Sequence, residues 1–228
     1  DPDSFGGNLA KLAKRRQVIA VHLQAHGRTP DTDRPLRCET LGDDVAALIG
    51  HLKLGQADVM GYSLGADVAL QTAIRHPDVV DRLVLVSGTM REDGSYPEVV
   101  VAFNQLEVNA AMLGGSVKAS PLGQAYPDVD WTKLFRKVGD LTERPFDWSA
   151  DVAKVRARTL LVFADADSVR PEHMFEFWKA LGGGQRDAGL DGSLRPASQF
   201  AIVPNTTHYT LAVEPMLPKI VERFLGTA

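Results

Sequence analysis

Five short runs of β-branched and other apolar residues recur along the chain, and each predicts a buried β-strand. These runs cover Gln17–Leu23, Ala57–Gly61, Asp81–Ser87, Arg158–Ala164 and Gln199–Val203. Other segments have apolar residues at the spacing of an amphipathic helix. They predict helices over Thr40–Leu54, Leu64–His76, Pro171–Leu181 and Val213–Leu225. Apolar strands that alternate with helices predict an α/β fold, in which helices cover both faces of a mostly parallel sheet.

The alternation of strands and helices stops between Ser87 and Arg158. This part of the chain shows mainly helix and loop patterns. We therefore interpret residues 91–149 as a helical cap, or lid, inserted over the C-terminal edge of the sheet. Residues 1–90 and 150–228 then form the α/β core.

Composition narrows the class of protein without identifying it. The chain has 228 residues, of which 44% are hydrophobic and 24% charged, as in an ordinary soluble globular domain. Its 25 basic and 29 acidic residues give a net charge of −4, which argues against nucleic-acid binding. The apolar runs are too short to span a membrane. A single cysteine, Cys38, excludes an intrachain disulfide and, with the acidic composition, favours a cytoplasmic protein.

Residues 61–65 have the pattern Gly-x-Ser-x-Gly, with a predicted strand before it and a predicted helix after it. This context is typical of a nucleophile elbow, a tight turn that lifts the central serine clear of the sheet. Ser63 is therefore the candidate nucleophile. The N–H of Leu64, at the start of the helix, is the candidate donor to an oxyanion. The alternative is a glycine-flanked serine in an ordinary turn between strand and helix.

A serine nucleophile needs a base, and the base needs a carboxylate to orient it. His208 follows the last predicted strand and lies downstream of the serine, at the edge where parallel sheets collect active residues. It is the candidate base; the alternative is a surface-loop histidine. Asp165 and Asp167 both follow the strand that ends at Ala164, and either residue is a candidate acid.

The sequence resembles the α/β-hydrolase family in the order Ser63, Asp167, His208, which is that family's order of nucleophile, acid and base. Residues 18–29, VIAVHLQAHGRT, look like the family's strand and His-Gly-Arg turn, although His22 and Ala25 replace the usual Asp and Gly. The family's acid turn is Gly-x-x-Asp, which aligns Asp167 with the acid and leaves Asp165 as the alternative.

A serine at the elbow implies acyl transfer, because family members that open epoxides or remove halide place an aspartate there. We expect a serine esterase that hydrolyses a carboxylic ester with an apolar acyl or alcohol part, and no metal or organic cofactor. The candidate pocket residues are Phe103, Met112, Trp131, Phe135 and Val169. The alternative for the cap aromatics is that they form only the cap's own core.

The same triad also serves hydrolysis of lactones, thioesters or C–C bonds, and cofactor-free perhydrolysis. A non-catalytic ligand-binding protein on this scaffold is the alternative from another class. The expected partner is a small-molecule ester, and a homodimer is left open.

The resemblance also predicts a segment upstream of Asp1. The family sheet has eight strands, and its third strand lies between the two that correspond to Gln17–Leu23 and Ala57–Gly61. Without that strand, a slot with unpaired backbone groups would remain, and such groups are costly to bury. The loop after the family's third strand carries its His-Gly motif and the second oxyanion N–H. We therefore expect some tens of residues, including that donor, before Asp1.

Overall fold

The computed structural model describes residues 2–226, and within them a four-stranded parallel sheet has the order β1-β2-β3-β4. Its strands are β1 (Ala57–Tyr62), β2 (Val80–Val86), β3 (Arg158–Ala166) and β4 (Gln199–Thr207). Gly61 is paired with Leu85, and Leu85 with Leu161. Because the strands are parallel, their carboxyl ends meet at one edge of the sheet, and each connection must cross back over a face.

The connections between strands are mainly helical. The helices are α1 (Asn8–Leu12), α2 (Cys38–His51), α3 (Leu64–Arg75), α4 (Pro97–Asn104), α5 (Ala110–Lys118), α6 (Pro121–Ala125), α7 (Trp131–Thr142), α8 (Ser149–Val152), α9 (Pro171–Ala180), α10 (His208–Leu211) and α11 (Leu217–Leu225). Short 3₁₀ helices cover Pro2–Phe5 and Glu92–Gly94. Helix α3 ends just before Pro77, because a residue that precedes proline avoids the helical conformation. Helix α9 begins with Pro171, whose fixed φ suits the first helical turn.

The core lies on both faces of the sheet. Side chains along β3 alternate between the two faces, as they do in any strand. Leu161 and Phe163 are fully buried in a cluster that includes Phe177 of α9. Val162 belongs to a second buried cluster that includes Phe224 of α11. This two-sided burial explains why β2 and β3 are continuous apolar runs in the sequence.

Helices α4 to α8 lie between β2 and β3 in the chain, where the sequence predicts a cap. Helix α7 connects this insertion to the core. Its buried Leu134 belongs to a cluster that also includes Leu41 of α2. Lys137 of α7 donates to Asp31 Oδ1 and to the carbonyl oxygen of Thr32, each at 2.5 Å. The insertion is therefore held by apolar packing and by a polar anchor.

The predicted strand Gln17–Leu23 is wrong: these residues have no regular secondary structure. Among the described residues, no strand lies beside their backbone, and a strand forms only where a partner completes the hydrogen-bond ladder. A groove of about 620 Å³ lies between residues 16–23 and β1, at the place where the sequence analysis expects a slot. The edge of β1 that faces away from β2 has no strand partner within residues 2–226. The upstream segment itself stays a prediction.

The other predicted elements differ from the structure in their bounds. The predicted helix Val213–Leu225 begins at Leu217 instead, with Pro218 in its first turn. The last strand continues beyond Val203 to Thr207 and carries the chain to the site. In the described part of the chain, no helix is long and apolar enough to cross a membrane, and no group of three or more potential ligand side chains is placed to hold a metal ion.

Candidate active site

Ser63 stands in a tight turn between β1 and α3. Its φ is 54° and its ψ is −125°, a strained conformation for a residue with a side chain. A Cβ added at Gly61 would lie 1.9 Å from the carbonyl oxygen of Gly65, so the strand and helix approach this closely only because Gly61 has no side chain. The Ser63 N–H donates to the carbonyl oxygen of Val86 at 2.9 Å. The turn therefore fixes Ser63 at the carboxyl edge of the sheet.

His208 reaches this edge from the end of β4, as the first residue of α10. Its Nε2 lies 3.0 Å from Ser63 Oγ. The hydroxyl of Tyr62 donates to the His208 carbonyl oxygen at 2.6 Å, which fixes the backbone that carries the imidazole. A capping box formed by Thr207 and Thr210 fixes the start of α10. The hydrogen bond from Tyr62 and the capping box therefore together fix the backbone that places the imidazole beside Ser63 Oγ.

Asp167 lies on the other side of the imidazole and is buried. Its Oδ1 lies 2.8 Å from His208 Nδ1, and its Oδ2 accepts hydrogen bonds from Ser87 Oγ at 2.6 Å and from the Ala164 N–H at 2.9 Å. Burial alone would raise the pKa of Asp167, but the hydrogen bonds from His208, Ser87 and Ala164 together lower it below its usual value. The Asp167 side chain is therefore a carboxylate at neutral pH.

The alternative acid, Asp165, lies apart from the imidazole. Its carboxylate accepts from the backbone N–H groups of Asn205 and Thr206, at 2.9 and 3.0 Å, and so connects the ends of β3 and β4. Ser168 Oγ, by contrast, lies 2.8 Å from His208 Nδ1. The Nδ1 atom thus has two oxygen neighbours, of which Asp167 carries the charge.

Leu64 is the first residue of α3, so its N–H belongs to the group of amides at a helix start that have no partner inside the helix. Ala66 and Asp67, by contrast, already donate to the Ser63 carbonyl oxygen, at 2.7 and 3.2 Å. The Leu64 amide is therefore suited to a developing negative charge. The second oxyanion donor is not assigned to any residue from 2 to 226 and stays a prediction.

A pocket of about 350 Å³ lies between the insertion that carries α4 to α8 and Ser63. Its apolar wall consists of Leu64, Val100, Phe103, Val138, Leu141, Phe146, Trp148 and Val169. His208 and Ser168 also line it. The larger groove beside β1 reaches Ser63 as well, but it follows a strand edge and does not contact His208. The smaller pocket is thus the one in which a bound molecule meets both Ser63 and His208.

Two of the five predicted pocket residues, Phe103 and Val169, lie in this wall. The other three do not. Met112 is 64% exposed on α5, and Trp131 is 8% exposed in the cluster that joins the insertion to α2. Phe135 lies on α7 outside the lining. Helices α5 and α7 pack against each other. Their apolar side chains therefore either lie in the contact between the two helices or stay exposed beside it, outside the pocket.

Sequence reasoning missed two residues near the triad. Ser87 follows β2, and nothing in its local sequence indicates that its hydroxyl meets Asp167. Asp67 also lines the pocket, and here a signal was available, because this acidic residue lies in the first turn of the helix that follows Ser63.

Comparison with known proteins agrees with this architecture. Residues 3–113 match the family model described as the alpha/beta hydrolase fold. A protein of Mycobacterium tuberculosis strain H37Rv is 26% identical over 98% of this chain and 72% of its own length. The pimeloyl-[acyl-carrier protein] methyl ester esterase of Neisseria meningitidis is 29% identical over 76% of this chain and 73% of its own length.

A solved structure extends the likeness to the whole described fold. The enol-lactonase from Burkholderia xenovorans LB400 superposes with a TM-score of 0.72 at 18% identity, over 99% of this chain and 86% of that chain. The parallel sheet and its flanking helices agree with this likeness. The chain has the α/β-hydrolase fold.

Proposed function

We propose that this chain is a serine hydrolase that cleaves carboxylic esters through an acyl-enzyme on Ser63. One observation carries the proposal: Ser63 Oγ, His208 and Asp167 form a continuous hydrogen-bonded chain, with distances of 3.0 and 2.8 Å, that opens onto a pocket. A hydroxyl bonded to an imidazole, which is in turn oriented by a carboxylate, is the arrangement that activates serine as a nucleophile.

In the first half-reaction, Ser63 Oγ attacks the ester carbonyl carbon while His208 Nε2 takes the hydroxyl proton. The carbonyl oxygen becomes an oxyanion, which the Leu64 N–H stabilises. As the tetrahedral intermediate collapses, the bond to the alcohol oxygen breaks and His208 gives its proton to that oxygen. The alcohol leaves, and the acyl group stays on Ser63.

In the second half-reaction, water takes the place of the alcohol. His208 Nε2 accepts a proton from the water as its oxygen attacks the acyl carbon. The bond to Ser63 Oγ then breaks, and His208 returns the proton to the serine. Asp167 keeps the Nδ1 proton directed towards itself and stabilises the imidazolium in both halves. Its lowered pKa supports this role, because the ionised carboxylate accepts the hydrogen bond from Nδ1–H and carries the charge that stabilises the imidazolium.

The pocket sets the size and polarity of the substrate, and two of the named similar proteins act on ester bonds. The wall is mainly apolar, and a volume of about 350 Å³ suits a small to medium-sized molecule. The named relatives include a methyl ester esterase and an enol-lactonase, and a lactone is a cyclic ester. Lactones therefore fall within the proposed substrate class.

Hydrolysis of p-nitrophenyl esters of increasing acyl length tests the proposal. We expect turnover in the wild type, a fall of about 10⁴-fold or more in Ser63→Ala, and no change in Ser116→Ala. Ser116 is the matched control, because its hydroxyl lies on the exposed face of α5. Equal turnover in the wild type and Ser63→Ala, or none in a folded wild type, would refute the proposal.

A further inference from the structure

Asp67 lies one helical turn after Ser63 on α3, and its N–H donates to the Ser63 carbonyl oxygen at 3.2 Å. Asp67 lies in the first turn of α3 and lines the pocket that opens at Ser63 and His208. Acyl transfer by the triad does not use this carboxyl group.

The Asp67 carboxyl has little to satisfy it within the protein. Its Oδ1 accepts one hydrogen bond, from the Thr89 N–H at 3.0 Å, and no cation between residues 2 and 226 is paired with it. The two arginines that line the pocket, Arg37 and Arg144, instead bind Asp140, at 2.7 and 3.3 Å. A polar group at a pocket wall with unused hydrogen-bonding capacity is available to a ligand.

A second polar atom in the same pocket also lacks a partner. The side-chain Oδ1 of Asn104, at the end of α4, is buried, and no residue of the described chain hydrogen-bonds to it. Asn104 lines the pocket together with Asp67. A buried acceptor without a donor costs free energy, and a rotation of the Asn104 side chain towards the pocket would let a bound molecule donate to it and remove that cost.

We propose that Asp67 and Asn104 form a polar subsite that selects esters carrying a hydroxyl group in addition to the ester bond. The inference rests on the proposed esterase function and adds the class of substrate. Asp67 is a specificity-determining residue in this account, and the apolar wall holds the rest of the molecule.

A hydroxyl group fits this subsite better than a cation or an anion. Burial raises the pKa of Asp67 to about 7, against the lowering effect of the Thr89 N–H, so both forms of the carboxyl exist near neutral pH. A hydroxyl group both donates and accepts hydrogen bonds, so it can pair with either form, and it can donate to Asn104 Oδ1. The neighbouring Cys38 thiol stays protonated, because burial raises its pKa well above the usual value.

Two pairs of isosteric esters test the proposal, one for each side of the ester bond. Ethyl 3-hydroxybutanoate is compared with ethyl 3-methylbutanoate, and 2-hydroxyethyl butanoate with propyl butanoate. In at least one pair, the wild type is expected to favour the hydroxy ester by about 10- to 100-fold in kcat/KM. Asp67→Leu should abolish or reverse that preference, mainly through KM. Asp67→Asn keeps an acceptor for the Thr89 N–H and should retain most of the preference for the hydroxy ester.

The outcomes separate this proposal from the function on which it rests. No preference for the hydroxy ester in either pair, while Ser63-dependent hydrolysis continues, overturns the subsite and leaves the esterase. A preference that survives in both Asp67→Leu and Asn104→Leu also overturns it. If Asp67→Leu does not fold, Asn104→Leu and Asp67→Asn still give the ratio of kcat/KM values. No Ser63-dependent hydrolysis of any ester overturns both proposals.

Discussion

His173 on α9 is fully buried and makes stability depend on pH in a calculable way. Its Nε2 accepts a hydrogen bond from the Met90 N–H at 3.2 Å, which requires that nitrogen to be unprotonated. The ring packs so closely on Gly94 that a Cβ there would lie 2.6 Å from it. Burial, and then the charge of Arg91, lower the pKa of His173 from 6.5 to about 4.

The sign and size of the effect follow from proton linkage. Because the pKa is lower in the folded state, the unfolded state binds the proton first as pH falls. The stability contribution is complete above pH 6.5 and is lost as the pH falls towards 4. At pH 4.5 these two pKa values correspond to a loss of about 2.5 kcal/mol relative to neutral pH.

Urea unfolding of the wild type and of His173→Gln at pH 7.5 and 4.5 measures this loss. Glutamine offers an acceptor to the Met90 N–H and does not titrate. We expect the free energy of unfolding to fall by about 2.5 kcal/mol less in His173→Gln than in the wild type. His51→Gln, at an exposed position near the end of α2, is the matched control and should follow the wild type. Equal pH dependence in the wild type and His173→Gln would refute the reasoning.

Three further predictions concern the triad, the cap and the groove. Ser87→Ala removes a donor to the buried Asp167 carboxylate, so it should raise the pKa of Asp167 and lower the free energy of unfolding by about 1.5–3 kcal/mol in urea titrations; no loss would contradict this. Lys137→Met removes the polar anchor between α7 and residues 31–34, so ester KM should rise more than kcat falls; an unchanged KM would count against the anchor. If residues upstream of Asp1 fill the groove as a strand, a protein that includes them should show slower hydrogen exchange at the amides of β1 than the present chain. Equal exchange rates in the two proteins would argue against a strand in the groove.

Strands β2 and β3 could be predicted from sequence because they are buried on both faces. That burial makes each strand a continuous apolar run, as at Asp81–Ser87 and Arg158–Ala164. Gln17–Leu23 has the same kind of run and yet forms no strand. Its residues are exposed or half-buried, and Ile19 is 43% exposed, so the run has neither the burial that its apolar pattern indicates nor the hydrogen-bonding partner that a strand needs.

In the candidate site, too, some residues could be predicted from the sequence and others could not. Ser63 could be assigned because its turn imposes glycine at Gly61, and His208 because of its place after the last strand. The pocket wall could not, since an apolar residue on a cap helix, such as Met112, looks the same in sequence whether it faces a pocket or solvent. The contact between Ser87 and Asp167 joins residues from different strands, and no local pattern records it.

The central claim is that His208 activates Ser63 as a nucleophile, and covalent labelling tests it most directly. The protein is treated with a fluorophosphonate, and the modified residue is located by peptide mass spectrometry. The account predicts one adduct, on Ser63, which is absent in Ser63→Ala and forms at least about 10³-fold more slowly in a folded His208→Ala variant. No adduct on the folded wild type, or equal labelling of Ser63 without His208, would contradict it.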